Sequence, residues 1–296
     1  MTLITLLIAL TVERFLGSLQ DYRRFDWLLA FARWVAAKAE KRAWLDGPLG
    51  VLLVLGPPAV VVGVLQALFA GSLVLSLLFA LVVLIYCFGP RTFYDQAKSL
   101  VDALDRGDEE AARWYLEQLL DRRPAPDEPL PKAASEALFI ALCDRLLAVV
   151  FWFAVLGPLG AFLWRASSEL SKGCAAPEVG CGTPQGGLAA AWRWLYFVLG
   201  WVPARLTAWT FAALGSFMDA RERCRRMQED GEHHWTDPNE ALLACAGCGA
   251  LRLPESEETM EMRGGWAVCQ SLELVRRSIL AWLVVIAVLT LWGWAS

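Results

Sequence analysis

Long apolar runs, separated by shorter charged segments, form the main pattern of the chain. Because about 20 apolar residues cross the core of a bilayer as one helix, runs near that length are predicted spans. Two of the runs include charged residues, and the first run is short. The pattern therefore predicts an all-α fold, a polytopic transmembrane helical bundle of about five to six spans. The predicted spans are residues 2–17, 50–70, 72–89, 145–164, 189–213 and 277–295.

Composition favours the same class of protein. Hydrophobic residues make up 57% of the 296-residue chain and charged residues only 20%, whereas a soluble domain of this size carries more charge and fewer long apolar runs. The run 2–17 is expected to be a retained, short or oblique span. A cleaved signal peptide would need a basic start and a small-residue cleavage site, and neither is evident in this run.

Amphipathic helices are predicted between the spans. Residues 25–44 show apolar positions at helical spacing interrupted by Arg33, Lys38 and further basic residues, which favours a helix on the membrane surface. Residues 92–121 indicate two helices joined at 106–108, where Asp108 can cap the second helix. The predicted organisation is an N-terminal membrane region (residues 1–89), a cytoplasmic helical segment (90–141), a second membrane region (142–215) with a periplasmic loop (166–188), a cytoplasmic segment (216–276) and a last span within 277–296.

The distribution of basic residues predicts the orientation. Of 27 Lys and Arg residues, 21 lie in three segments, with six in 17–46, seven in 90–141 and eight in 214–277. Six spans place these segments on one side of the membrane, and the positive-inside rule makes that side cytoplasmic. We expect a multi-pass protein of a bacterial inner membrane with its main loops in the cytoplasm.

Charged residues at membrane depth are candidates for function because burying them is costly. Arg205 follows Pro203 in the span 189–213, and its guanidinium suits a phosphate or a carboxylate. The alternative is that Arg205 snorkels to the interface or pairs internally. Asp144 and Arg145 begin the span 145–164, and Glu136 lies about two turns earlier; these three either face a cavity or form interfacial ion pairs.

Cysteines suggest one disulfide. Cys174 and Cys181 lie in the predicted periplasmic loop, an oxidising setting in which a structural bond between them is expected. Cys245 and Cys248 form a Cys-x-x-Cys motif that allows a zinc site with His233 and His234. Packing within a run of small residues is the favoured interpretation of this motif, so no metal site is predicted, and the six remaining cysteines are expected to be reduced.

Several function classes lack support in the sequence. It contains no Walker-type phosphate loop, no Ser-His-Asp set, no His-Glu-x-x-His helix and no sign of nucleic-acid binding. The residues alone leave transporter-like, enzymatic and signalling roles open.

Four strings, in this order, resemble the AmpE branch of the AmpE/CobD/CbiB membrane family, and the N-terminal MTLITLLIALTVERF is similar to that branch too. The resemblance covers nearly the whole chain. The strings are GDEEAAR (107–113), FWFAVLGPLGAFLWR (151–165), WVPARLTA (201–208) and DPNEALLACAG (237–247).

The resemblance implies two different activities. The CobD/CbiB branch is adenosylcobinamide-phosphate synthase, which joins an amino-alcohol phosphate to a corrinoid carboxylate at the expense of ATP and magnesium. AmpE proteins are associated with the regulation of inducible β-lactamase, and hence with antibiotic resistance and envelope signalling, and an ATP-binding role is ascribed to them.

The site residues of the synthases are only partly present. Glu136 and Asp144 match the outer acids of a polar run, and Arg205 and Asn239 are kept. Most of the amides and hydroxyls are replaced, which disfavours corrinoid ligation. The replaced positions are Ile140, Ala141, Leu142, Cys143 and Arg145, Val198 and Gly200, the region of Ser167, Ser168 and Glu169, and the segment after Glu13.

These observations give one leading hypothesis and two alternatives. The leading hypothesis is an AmpE-like signalling protein that binds an anionic small molecule, a nucleotide or a muropeptide-like compound, in a cytoplasm-facing cavity. Its ligand-binding residues would be Arg205, Glu136, Asp144, Arg145 and Asn239. The alternatives are an ATP- and magnesium-dependent amide-forming ligase, in which Glu136 and Asp144 share one magnesium ion, and a non-catalytic membrane scaffold for a partner.

Overall fold

The described region of the chain is helical throughout. A computed structural model describes residues 5–6, 8–9, 11, 25–39, 46–88, 90–120, 129–175, 186–230, 237–254 and 264–291, and no strand occurs among them. The all-α prediction is confirmed. The helices are α1 Asp26–Ala39, α2 Pro48–Phe69, α3 Leu73–Cys87, α4 Pro90–Asp105, α5 Glu109–Leu120, α6 Leu130–Leu142, α7 Ala148–Leu156, α8 Pro158–Ala175, α9 Gly187–Leu214, α10 Phe217–Asp230, α11 Pro238–Ala250 and α12 Gly264–Leu291.

Three stretches within the described residues are long and apolar enough to cross a membrane. They are Pro48–Phe69, Leu130–Leu156 and Gly187–Leu214, and the apolar helix Leu73–Cys87 is shorter. The first and third agree closely with the predicted spans 50–70 and 189–213. Most of the predicted span 2–17 lies outside the described residues. The helices are compatible with a membrane bundle.

The predicted span 145–164 differs from the helices observed. Helical structure runs from Leu130 to Leu156, through a π-helical turn at Cys143–Leu147, and stops at Gly157, where φ is +69°. Pro158 then begins α8. Glycine tolerates this left-handed conformation and proline suits the first turn of a helix. The Gly-Pro pair therefore ends one helix and begins the next within the apolar run. Asp144 and Arg145, which were predicted to begin the span, lie inside the apolar stretch Leu130–Leu156.

Two compact units make up the chain: residues 1–89, 148–200 and 289–296 form the first, and residues 90–147 and 201–288 form the second. In the first unit, α8 packs against α1, α2, α3 and α7. The side chain of Gln66 in α2 bridges the break between α7 and α8. Its Nε2 donates to the carbonyl oxygen of Leu156 at 3.2 Å, and its Oε1 accepts from the backbone nitrogen of Leu159 at 3.1 Å. One amide thus supplies partners to two backbone groups that the helix break leaves open.

Helix α6 forms the centre of the second unit. All but Pro131 and Lys132 of its residues are buried, and α4, α5 and α11 pack against it. Close packing of α11 depends on small residues: a Cβ atom at Gly247 would lie 2.3 Å from Cδ2 of Phe139. The predicted helix pair in 92–121 is confirmed as α4 and α5, and Asp108 Oδ1 accepts from the backbone nitrogen of Ala111 at 3.1 Å.

The cysteine predictions need one correction. Cys245 does not remain a reduced packing residue, because it forms a disulfide with Cys224 of α10, with the two Cα atoms 5.2 Å apart. Cys248 is a buried free thiol, as its packing interpretation required. The bond joins two consecutive helices, and it was not predicted because both cysteines lie in the predicted cytoplasmic segment 216–276, where reduced thiols were expected. The predicted bond between Cys174 and Cys181, and both histidines of the alternative zinc site, lie outside the residues whose side chains are described.

Candidate functional site

Arg205 is held in place by contacts on both sides of its guanidinium. It lies half-buried on α9, where its Nη1 donates to the carbonyl oxygen of Trp201 at 3.0 Å and to Oδ1 of Asn239 at 3.2 Å. Its Cζ atom lies 3.9 Å from the centroid of the Trp201 ring, a cation–π contact. Arg205 therefore pairs with a polar residue of another helix, which agrees with the alternative of internal pairing, and ligand binding by Arg205 stays a prediction.

Asn239 and Asp237 form the N-terminus of α11. Asp237 is the N-cap, and its Oδ1 accepts from the backbone nitrogen of Asn239 at 2.8 Å. Burial raises the pKa of the Asp237 carboxyl, the hydrogen bond from Asn239 opposes this rise, and the nearby carboxylate of Asp144 adds to it. Asp237 thus lies beside Asn239 at the start of α11, and the charge of Asp144 acts on it.

Asp144 lies on the π-helical turn of the central helix and is buried, with 3% of its surface exposed. A π-turn adds one residue to a helical turn and is frequent at functional sites. The preceding residue, Cys143, accepts a hydrogen bond from Oγ1 of Thr207 at 3.6 Å. Thr207 follows Arg205 by two positions on α9, so the π-turn and Arg205 lie at the same level of the second unit.

The directions of α6, α9 and α11 bring the residues around Arg205 together at one end of these helices. On α9, the ring of Phe211 packs at a tilt against Phe139 with ring centroids 5.1 Å apart, while Thr207 contacts Cys143, so α9 runs antiparallel to α6. On α11, Gly247 abuts Phe139, while Asp237 interacts with Asp144, so α11 is also antiparallel to α6. Arg205, Asn239, Asp237 and Asp144 consequently form one cluster, which we call the Arg205 cluster.

Glu136 lies apart from the Arg205 cluster. Eight residues of helix separate it from Asp144, a rise of about 12 Å. It is buried, with 6% of its surface exposed, and it interacts electrostatically with Cys248 near the other end of α11. This geometry does not support the expectation that Glu136 and Asp144 share one magnesium ion.

Arg145 is engaged by the protein itself. Its Nη1 donates to Oε1 of Gln96 at 2.8 Å, and its Nη2 donates to the carbonyl oxygens of Gln118 at 2.6 Å and Leu119 at 3.1 Å. Those carbonyls belong to the last turn of α5, where a cation satisfies groups that lack helical partners. The contacts indicate a structural role, and ligand binding by Arg145 stays a prediction.

The Arg205 cluster contains hydrogen-bond donors and an acceptor that are available to a ligand. Among the described residues, no partner occurs for Nε and Nη2 of Arg205 or for Oδ2 of Asp237. A guanidinium with three N–H donors still available can bind phosphate or carboxylate oxygens. The described residues contain no group of three or more His, Cys, Asp or Glu side chains able to hold a metal ion. The cluster thus offers two acids and one cation rather than a complete metal cage.

Comparison with known proteins identifies the family. The sequence profile described as CobD/Cbib protein matches residues 6–254, which is most of the chain. The chain belongs to the CobD/CbiB family. Membership in the AmpE branch is a finer statement that this match does not make.

Curated relatives in this family share moderate identity with the chain. One from Chromobacterium violaceum, named cobalamin biosynthesis protein CobD, is 28% identical over 271 residues, covering 82% of this chain and 78% of the relative. Proteins of the same name from Stutzerimonas stutzeri and Geobacter metallireducens are 33% and 29% identical over 57% and 56% of this chain, and the chain spans about half of each (54% and 52%). No solved structure matches the chain.

Two observations refine the set of site residues in this CobD/CbiB protein. Asp237 was missed, although its position before Pro-Asn, two residues from Asn239, is a typical N-cap signal. Conversely, the apolar residues that replace the synthases' polar run are packed in the core: Ile140, Ala141, Leu142 and Cys143 are at most 5% exposed. This stretch of α6 contributes packing, and the polar groups of the cluster come from α9, α11 and the π-turn.

Proposed function

We propose that this membrane protein is an amide-forming ligase of the CobD/CbiB type that binds the phosphates of a nucleotide at the Arg205 cluster. One observation carries the proposal. Arg205 is fixed by Asn239 and Trp201 through Nη1 alone, which leaves Nε and Nη2 for a ligand, and Asp237 caps the same helix start that carries Asn239. The family of the chain and the names of its relatives support a ligase more than a signalling protein.

A phosphate is the ligand that suits the available donors best. The Nε and Nη2 edge of a guanidinium presents a planar fork, which binds two oxygens of one phosphate or carboxylate. Asn239 orients this fork without neutralising it, because an amide carries no charge. The charge of Arg205 is therefore retained for an anionic ligand.

We propose that magnesium binds at the acids of the cluster. Mg²⁺ is usually held by one or two carboxylates together with waters and substrate phosphates, so a cage of three acids is not required. Asp144 and Asp237 would hold the ion, with Oδ2 of Asp237 available while its Oδ1 caps α11. When bound, magnesium and ATP supply the phosphoryl group that activates a carboxylate for attack by an amine.

The residues of this chain then have separate tasks. Arg205 binds and orients the phosphates, and its fixed charge stabilises negative charge that develops on their oxygens. Asn239 holds the guanidinium, and α11 supplies Asp237 at its N-terminus. The membrane lipid surrounds the spans, and we expect no nucleic-acid partner; a cytoplasm-facing cavity and an inner-membrane location remain predictions.

Binding without ligation is the second candidate, and one observation favours it. The synthases' polar run is replaced here by buried apolar residues between Ile140 and Cys143, so groups that assist the reaction in the synthases are absent from this stretch of α6. A chain that keeps the Arg205 cluster but lacks those groups would sense an anionic ligand. This is the AmpE-like role in envelope signalling and β-lactamase induction.

A product assay distinguishes the two candidates. The purified protein in detergent is incubated with Mg-ATP, a corrinoid carboxylic acid and an amino-alcohol phosphate, and the amide is measured by mass spectrometry beside nucleotide hydrolysis. The ligase proposal predicts an amide whose formation is lost in Arg205→Ala. Saturable nucleotide binding with neither amide nor hydrolysis would instead support the sensor. Absence of nucleotide binding would refute both the ligase and a sensor that binds nucleotides at the Arg205 cluster.

A further inference from the structure

The disulfide between Cys224 and Cys245 lies beside a cavity of about 200 Å³. We propose that this bond is a thiol–disulfide exchange site, which a small thiol reduces from the cavity, and that its redox state controls how firmly the Asn239 end of α11 is held. The proposal concerns α10 and α11 alone. Its consequence for ligand binding rests on the function proposed above, whereas the exchange reaction does not.

The cavity makes the bond accessible. Its lining consists of residues on the facing sides of α10 and α11, and both cysteines belong to it. Cys224 is half-buried and Cys245 is 5% exposed, so an incoming thiolate reaches the sulfur of Cys224 more readily. The lining residues are Cys224, Met227 and Gln228 from α10 and Pro238, Ala241, Leu242 and Cys245 from α11.

The reaction balances with a small thiol as reductant. Its thiolate attacks the sulfur of Cys224, forms a mixed disulfide there and releases the sulfur of Cys245, which takes up a proton. A second thiol then attacks the mixed disulfide at the sulfur of the reductant. The products are two protein thiols and one oxidised disulfide of the reductant, so two electrons pass from the thiols to the protein.

One prediction and one observation argue that this disulfide is not a permanent structural bond. The charge distribution predicts that residues 216–276 face the cytoplasm, where glutathione and thioredoxin keep thiols reduced and disulfides are mostly transient or redox-sensing. In addition, α10 and α11 have other contacts that hold them together when the bond opens. Arg252 Nε lies 2.6 Å from Oδ2 of Asp219, and Arg223 donates to the carbonyl oxygen of Leu253 at 2.8 Å.

Those other contacts are at the far end of α11 from the Arg205 cluster. The backbone nitrogen of Ser216 donates to the carbonyl oxygen of Ala250 at 2.9 Å, and a Cβ at Gly249 would meet Cα of Ala220 at 2.7 Å. The disulfide is attached to α11 at Cys245, six residues after Asn239. Reduction therefore leaves the C-terminal end of α11 fastened to α10 and removes the covalent tie nearest to Asn239.

Cys248 is a poor partner for disulfide exchange with Cys224 or Cys245. It is fully buried, and burial raises the pKa of its thiol to about 12, so little thiolate is present at neutral pH. The pair Cys224 and Cys245 is thus expected to re-form when the disulfide of the small thiol is in excess, because that disulfide accepts the two electrons and returns as two thiols.

Thiol counting in a glutathione buffer tests the exchange. The full chain in nanodiscs is equilibrated with mixtures of reduced and oxidised glutathione, quenched with a maleimide and digested for mass spectrometry. We expect reversible labelling of Cys224 and Cys245 together, with a glutathione adduct at Cys224 at intermediate ratios. Free thiols at both positions under fully oxidised glutathione, or no labelling in excess millimolar reduced glutathione, would overturn the proposal. The variant Cys269→Ser, which removes an exposed free thiol of α12, is the matched control.

Hydrogen exchange of the wild-type protein tests the coupling. On reduction, amide exchange in residues 238–245 should accelerate about tenfold, while residues 246–253 change little. Equal acceleration along α11, or none, would contradict the inferred control. Because this readout needs no nucleotide, failure of the proposed ligase would leave it intact, and its own failure would leave nucleotide binding to be judged separately.

Discussion

The Nη1 nitrogen of Arg205 lies 3.2 Å from Oδ1 of Asn239. This contact joins the Trp-Val-Pro-Ala-Arg stretch of α9 to the Asp-Pro-Asn start of α11, two segments that are 34 residues apart along the chain. It orients a guanidinium without cancelling its charge. The proposed function depends on that charge being available to a ligand.

Replacing Asn239 with aspartate should therefore weaken nucleotide binding. A carboxylate at this position would pair with Arg205 and add to the negative charge of Asp144 and Asp237. We expect the affinity for ATP, measured by equilibrium dialysis, to fall at least about tenfold, or 1.4 kcal/mol. Glu240→Gln, at the next position of α11, is the control and should change affinity little. An unchanged affinity in Asn239→Asp would show that Arg205 does not bind the nucleotide.

Arg145→Met tests whether Arg145 is structural. The substitution removes hydrogen bonds to the carbonyl oxygens of Gln118 and Leu119 in a buried setting, which should lower the free energy of unfolding by about 2 to 3 kcal/mol. Arg106→Met is the matched control, because Arg106 donates to the carbonyl oxygen of Asp102 at an exposed position and should cost less than about 0.5 kcal/mol. Denaturant unfolding in detergent measures both. If Arg145→Met instead folds stably and loses nucleotide affinity, Arg145 is a ligand-binding residue.

Gln66→Leu tests the bridge at the helix break. The variant leaves the carbonyl oxygen of Leu156 and the backbone nitrogen of Leu159 without their amide partner, in a setting where water is scarce. We expect a loss of about 1 to 3 kcal/mol of unfolding free energy, measured by thermal or denaturant unfolding. Val64→Leu, an exposed apolar exchange on α2, is the control. Equal stability of the two variants would mean that the break does not need Gln66.

Ionised Asp219 should contribute to the stability of the fold, and this contribution should be lost at low pH. Hydrogen bonds from Ser216 and Arg252 hold the pKa of its carboxyl below the ordinary value of 3.8. A lowered folded pKa contributes stability above the unfolded pKa, and this contribution is lost as the pH falls through the folded value. The difference in unfolding midpoint between wild type and Asp219→Asn should be constant above about pH 5 and vanish in strong acid. Glu229→Gln, on the same helix, controls for general charge effects, and a pH-independent difference for Asp219→Asn would contradict the assignment.

Run length and composition were sufficient to predict the helices that are apolar on most sides. Spans 50–70 and 189–213 differ from α2 and α9 by at most two residues at each end, because lipid-facing helices need an apolar residue at nearly every position. The helical pair α4 and α5 was predicted equally well from its glycine turn and its capping aspartate.

The central helix was harder to predict for a physical reason. Charges at Glu136, Asp144 and Arg145 suggested an interface, yet all three are buried within the stretch Leu130–Leu156. The cost of burying Arg145 is offset by the carbonyls of α5, which cannot be recognised as partners from the local sequence. The Cys224–Cys245 bond was missed for another reason, because both cysteines lie in a predicted cytoplasmic segment in which reduced thiols were expected.

Thermal unfolding with and without Mg-ATP tests the central claim most directly. Purified wild-type protein, Arg205→Ala and the control Arg277→Ala, an exposed arginine paired with Glu273, are melted in detergent over a range of nucleotide concentrations. At a nucleotide concentration a hundred times the dissociation constant, binding should stabilise the wild type and the control by about 2.7 kcal/mol, and Arg205→Ala should show no shift. A shift of equal size in Arg205→Ala, or no shift in the wild type up to millimolar Mg-ATP, would contradict the account.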